Sequence, residues 1–229
     1  MHKFISIGGW CGTTISLRGN NLYEQALPFD NIRSTFAGII DCFETNFQNF
    51  FPKKLEVDII ENYSYSGLSF RGKYFGFYHH NLLDPKIIND FYRRIERLNN
   101  ILNNQTTNTI FIRTITKQDY EEETLLIDKF LNIIDIKYPN LNYIVVFIVP
   151  GQNNSIYYRH INHRTFIFTL NDNSCKNENL PMEYKPIYDF ILTEDLFKNI
   201  PKSNNDILIQ KNNNRYVSFS GVDTFRLDN

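Results

Sequence analysis

Cysteine is scarce in this 229-residue chain: Cys11, Cys42 and Cys175, an odd number with no two in a Cys-x-x-Cys pair. That pattern excludes a disulfide framework and a structural zinc site, both of which need thiols paired at regular spacing. Charge of one sign is also missing, with Lys+Arg 24 against Asp+Glu 25 and a net charge of −1. A large nucleic-acid footprint needs a basic excess, so nucleic acid is not expected as a partner. Long apolar runs are absent; Tyr143 to Pro150, the longest, is strand-sized and too short to span a membrane, so no membrane partner is expected. The start, Met1-His2-Lys3-Phe4, lacks the apolar stretch of a signal peptide. The sequons at Asn62, Asn104 and Asn153 are therefore expected to stay unmodified, and the expected location is cytoplasmic, the host cytoplasm if the protein is viral.

What is abundant is aromatic and apolar surface: 15% Phe, Trp and Tyr within a 42% hydrophobic chain. This argues against disorder and for a sizeable core. The richness in Asn, Ile, Lys, Tyr and Phe is the usage of an AT-rich genome and weakens any argument from a single Asn.

Along the chain, Phe4 to Ile7 reads as a strand that breaks at Gly8-Gly9 into a helix starting near Thr13. Ser34 reads as the cap of a helix to about Phe47, with Phe36, Ile39, Ile40, Phe43 and Phe47 at helical spacing. Leu68 to Tyr78 reads as a hairpin turning at Arg71-Gly72-Lys73. Asp84-Pro85 opens a helix with a stripe of Ile88, Phe91, Ile95, Leu98 and Leu102. A strand at 109–113, a helix at 120–134 with an acidic first turn, and an apolar strand at 143–149 form a βαβ pattern, hence a parallel sheet. Further strands are expected at 164–170 and 206–210, a polar loop at 171–179, a short helix at 194–200, and a strand or ordered tail at 216–225. The expected fold is α/β, a three-layer sandwich with a mostly parallel sheet plus antiparallel hairpin additions. We read 1–229 as one domain, with 151–229 as a C-terminal extension of it.

The glycine turn puts Cys11 between strand and helix, near a helix N-terminus whose unpaired N–H groups favour a thiolate. A cysteine enzyme also needs a base and donors for an oxyanion. Amides of Gly9, Gly12 and Thr13 are candidate donors. His79 and His80 follow the hairpin; if the strand continues, alternation sends them to opposite faces, so at most one meets Cys11. His160 and His163 read as surface or structural residues. No metal and no cofactor is expected. Asp30, in an apolar context, and Asn81 are candidates to orient an imidazole. Arg113 ends an apolar strand where ligands of parallel sheets bind, the alternative being an internal ion pair with an acid such as Asp119. Arg93, Arg94 and Arg97 read as a solvated helix face or as an anion clamp, with Arg94 the candidate for substrate contact.

Ile5-Ser6-Ile7-Gly8-Gly9-Trp10-Cys11, Leu17-Arg18, Leu27-Pro28-Phe29-Asp30, His79-His80-Asn81, the run 93–97 and Phe111-Ile112-Arg113-Thr114 together resemble a papain-like cysteine peptidase family of unknown function, found in bacteria and large DNA viruses. The resemblance covers roughly the first 150 residues. It implies Cys11 in the nucleophile position, His80 in the histidine position and Asp30 in that of the Pro-Phe-Asp aspartate. Asn31 stands where the family has Trp, and Asn81 where it has Asp. The leading expectation is a cysteine-dependent hydrolase or acyl transferase acting on a polar or anionic small molecule or a peptide. The alternatives are an α/β enzyme acting on a glycan or nucleotide-sugar through an arginine anion site, and a non-enzymatic viral or host-interaction protein.

Overall fold

The computed structural model describes residues 2–52, 56–59, 68–104, 108–115, 120–152, 158–162, 164–171, 179–194 and 196–197. In chain order the elements are β1 (His2–Ser6), α1 (Cys11–Gly19), β2 (Arg33–Ser34), α2 (Phe36–Thr45), β3 (Glu56–Ile59), β4 (Leu68–Arg71), β5 (Phe75–Phe77), α3 (Pro85–Leu102), β6 (Asn108–Thr114), α4 (Tyr120–Leu125), α5 (Ile127–Lys137), β7 (Tyr143–Gln152), β8 (Tyr158–Asn162), β9 (Thr165–Asn171) and α6 (Leu180–Thr193).

The main sheet has the order β1-β6-β7-β9-β8. Its first four strands run parallel and β8 closes it antiparallel to β9. A strand buried on both sides is apolar at every position. In β7, Tyr143, Val145, Phe147 and Val149 enter one core, and Ile144, Val146 and Ile148 the other. The first core gathers α2, α3, α5 and the hairpin β4–β5. The second gathers α1 and α6. This is the α/β three-layer arrangement, with a mostly parallel sheet and antiparallel additions. The smaller sheet, β2-β5-β4-β3, is antiparallel throughout.

The first core is an aromatic cluster. Phe43 meets Phe29, Phe47, Phe111, Phe130 and Tyr138 at centroid distances of 5.8–6.5 Å, mostly edge to face. Quadrupoles favour such edge-to-face contacts over flat stacking. The second core carries hydroxyls. Tyr184 and Tyr188 of α6 are each 1% exposed and hydrogen-bond into the first half of the molecule.

Helix signals were read with small shifts. Thr35, one residue after Ser34, caps α2 by accepting from the Gly38 amide at 3.1 Å. Asp84 caps α3, accepting from the Lys86 amide at 2.8 Å, with Pro85 following. The helix expected at 120–134 is two, parted at Leu126, whose N–H bonds back three residues to Glu123 at 3.1 Å and tightens the turn. Helix α6 was not foreseen, and neither was β8. The expected strands at 206–210 and 216–225 lie outside the described residues, as do 172–178 with Cys175 and most of the expected helix at 194–200. Among the described residues no helix is long and apolar enough to cross a membrane.

Candidate thiol site at the glycine turn

The turn after β1 is set by two residues that only glycine suits. Gly8 and Gly9 have φ of +79° and +96°, and a Cβ on Gly9 would lie 1.9 Å from the Thr114 carbonyl oxygen. The Gly9 amide donates to Ser34 Oγ at 3.0 Å, and the Ser34 amide donates back to the Gly9 carbonyl at 3.3 Å. The Gly8 carbonyl accepts from the Thr114 amide and from Thr13 Oγ1, each at 3.4 Å. Three elements, β2, β6 and α1, thus fix the backbone that presents Cys11.

Cys11 is the first residue of α1, and the Trp10 side chain ahead of it makes no cap. The first-turn amides are not closed by a side-chain cap, and those of Cys11 and Gly12 favour a thiolate. Burial acts more strongly and pushes the thiol up; the Arg33 guanidinium and the two amides pull it down. The net shift is upward, so Cys11 rests as a partly exposed, protonated thiol. Gly12 stays without a side chain because a Cβ there would meet the Trp10 ring at 2.2 Å. Gly9 is not an oxyanion donor: its N–H already serves Ser34 Oγ.

Arg113 corrects the expectation of a substrate contact. It is 1% exposed, and its five N–H donors match five bonds: Nε and Nη2 to the Glu123 carboxylate at 2.8 and 2.5 Å, Nη1 to the Ile7 carbonyl at 3.1 Å and to Ser34 Oγ at 3.4 Å, and Nη2 to the Ser34 carbonyl at 3.0 Å. The internal ion pair is the reading that holds, with Glu123 of α4 as the acid. Arg113 is a clamp that ties β1 to β2 behind the glycine turn.

Asp30 is 1% exposed and accepts from Thr14 Oγ1 at 3.0 Å, Tyr23 Oη at 3.1 Å and the Leu27 amide at 2.7 Å. Burial raises its pKa; those bonds and the nearby Arg94 charge oppose the rise. Its partners are thus α1 and the 23–27 loop, not an imidazole. Asn81 is exposed and its Oδ1 accepts from the Leu83 amide at 3.0 Å, which makes it part of the turn leading into α3. Neither residue orients a histidine in this state.

β5 ends at Phe77, so both histidines lie in the turn beyond it and strand alternation does not govern them. Burial and Arg33 lower His79. Arg33 also acts on Cys11, and it sits on β2, which pairs with β5 just before the histidines. His80 lies edge-on to Phe91 at 4.9 Å, with its Nε2 buried and unbonded. Burial first, then Arg94 and His79, bring it down to about 4. Arg94 itself rests over the same Phe91 ring at 4.8 Å. Among the described residues no hydrogen bond joins the Cys11 thiol to either imidazole.

Sequence reasoning missed Arg33, Ser34 and Thr114. The signal for Ser34 was misread as a helix cap, and for the other two there was none, because their partners are 22 to 106 residues away along the chain. Among the described residues no group of three His, Cys, Asp or Glu side chains gathers to hold a metal. His160 lies on β8, and His163 is outside the described residues.

A cysteine opening a helix, presented by a strained glycine turn at the end of a parallel strand, defines a candidate thiol site of an α/β protein. The chain belongs to the family described as "Putative papain-like cysteine peptidase", whose model matches residues 2–153. No curated protein and no solved structure matches it.

Proposed function

We propose that the protein is a cysteine-dependent hydrolase or acyl transferase with Cys11 as nucleophile and His80 as its base. The observation that carries this reading is the placement of Cys11 at an uncapped helix start, whose Cys11 and Gly12 amides favour the thiolate. His80 supports it: a purely structural imidazole would pair its buried Nε2, and this one does not. The resting pair is neutral, thiol and imidazole. Substrate binding must bring the two together, since apo hydrogen bonds of catalytic groups are often loose. The thiol proton then passes to the imidazole as Sγ bonds to the acyl carbon. The carbonyl electrons move to an oxyanion held by the Cys11 and Gly12 amides. The imidazolium protonates the leaving group as the old acyl bond breaks, and water or another nucleophile releases the thioester.

Iodoacetamide labelling at neutral pH tests the proposal. Cys11 should react faster than Cys42 and Cys175, and His80→Ala should slow it more than His79→Ala. Equal, slow labelling of all three cysteines would overturn it. That result would favour a second reading, a binding protein without chemistry, to which the missing bond between thiol and imidazole lends support. The glycan or nucleotide-sugar alternative loses its main residue, because Arg113 has no donor left to offer.

A further inference from the structure

Most ionic contacts of this chain follow one rule: a cation meets a carboxylate. Arg93 pairs with Asp90, Arg113 with Glu123 and Arg164 with Asp135. Arg18, Arg94 and Arg97 break the rule, since among the described residues none of the three has a carboxylate within ion-pair distance. They come from two elements, α1 and α3, and feel one another: Arg97 and Arg18 both add like charge at Arg94. Arg18 donates to Tyr23 Oη at 3.1 Å and stacks over that ring at 4.5 Å. Arg97 donates to the Ala26 carbonyl at 2.6 Å. Among the described residues Arg94 makes no hydrogen bond, and its Nη1 is sealed from water. The nearest acid is Asp30, whose oxygens are taken by Thr14, Tyr23 and Leu27.

Arg18 and Arg97 both bond the 23–26 loop, and with Arg94 they set three guanidinium charges against the one carboxylate of Asp30, leaving uncompensated positive charge. A guanidinium edge held away from water without an acceptor is costly. Both deficits vanish when an oxyanion arrives, because planar forks of N–H donors match phosphate and carboxylate oxygens. We propose that Arg18, Arg94 and Arg97 form an oxyanion subsite between α1 and α3, taking a phosphoryl or carboxylate group. His80 lies next to it, sharing the Phe91 ring with Arg94. The subsite goes beyond the thiol chemistry and does not depend on it. If both hold, the acyl substrate is anionic.

The test is thermal melting of the full chain, as wild type and as Cys11→Ser, titrated with sodium phosphate or sodium acetate against sodium chloride at matched ionic strength. A saturable rise in melting temperature with phosphate, or with acetate alone, beyond the chloride control is the expected result. The anion that saturates tells phosphoryl from carboxylate. Arg94→Gln should weaken that binding about tenfold or more, the size of one charge-assisted hydrogen bond. Arg93→Gln, one residue away and already ion-paired, should leave it unchanged. Arg18→Gln, at an exposed position, gives the same reading if Arg94→Gln fails to fold. No saturable rise with either anion, or equal weakening by Arg93→Gln, overturns the subsite. Because the Cys11→Ser chain must respond like wild type, failure here and failure of the thiol chemistry remain separate results.

Discussion

The two faces of the main sheet are built from different materials. Beneath α2, α3 and α5 the contacts are ring on ring: Phe29, Phe36, Phe43, Phe50, Phe75, Phe77, Phe91, Phe111, Phe130 and Phe147, without a polar atom among those side chains. Beneath α1 and α6 the apolar packing is threaded by hydroxyls. Thr114 Oγ1 lies 3.1 Å from Tyr184 Oη and 2.8 Å from Thr13 Oγ1, and Thr13 reaches the Gly8 carbonyl. Ser16 Oγ lies 2.6 Å from Tyr188 Oη. Dispersion and area burial stabilise the first face and tolerate small slides. Hydrogen bonds of fixed length stabilise the second less, but they set where α1 sits along the sheet. The difference teaches a division of labour: one face supplies stability, the other supplies the position of Cys11.

The largest expected effect tests the aromatic face. Phe43→Ala removes a ring that is 0% exposed and should cost about 3–5 kcal/mol in denaturant unfolding. The iodoacetamide rate of Cys11 in the folded fraction should stay at the wild-type value. A changed rate would mean that the two faces are not separable.

Next in size is the edge of that face, where His80 meets Phe91. Its pKa is depressed from 6.5 to about 4 in the folded chain, so between those values the unfolded chain binds the extra proton. Stability should therefore fall as pH drops from about 6.5 to 4, by up to about 3 kcal/mol, and level off below. Asp30 has the opposite sign, since its raised pKa favours folding at low pH. The difference between wild type and His80→Phe isolates the histidine. A variant that keeps the full acid loss would place the titrating group elsewhere.

The smallest expected effect on stability sharpens the comparison most. Tyr184→Phe should cost only about 1 kcal/mol, the usual worth of one buried hydroxyl bond. It cuts the path from α6 to the Gly8 carbonyl, so the Cys11 alkylation rate should change while the melting curve hardly moves. An unchanged rate would reduce the hydroxyl thread to ordinary packing.

What could be read in advance follows from range. The glycine turn, the Asp84-Pro85 cap and the βαβ alternation are local patterns, and each produced the element it announces. The parallel pairing of β6 with β7 followed from that alternation, whereas the pairing of β1 with β6 was not marked along the chain. Helix α6 was hidden by Pro186 in its interior, which argues against a helix, although Leu180, Tyr184, Ile187, Tyr188 and Ile191 have its spacing. The site was legible in its strand-to-helix cysteine and illegible in its supports. Ser34 touches Gly9 and Arg113, and nothing along the chain marks those pairings. Arg113 itself was one of two open readings, decided only by where α4 places Glu123.

Helix α6 begins 27 residues after the segment that the family model matches, yet it covers the sheet beside the thiol. The Asn20 side chain donates to the Pro181 carbonyl at 2.8 Å, and Pro181 fills the space over Gly19. A chain that stopped at residue 153 would lose this cover. It would leave Leu17, Ile112 and Val146 without α6 over them, an exposed apolar surface of the kind that drives self-association. Reading frames that share only the matched segment must bring a lid of their own for that side.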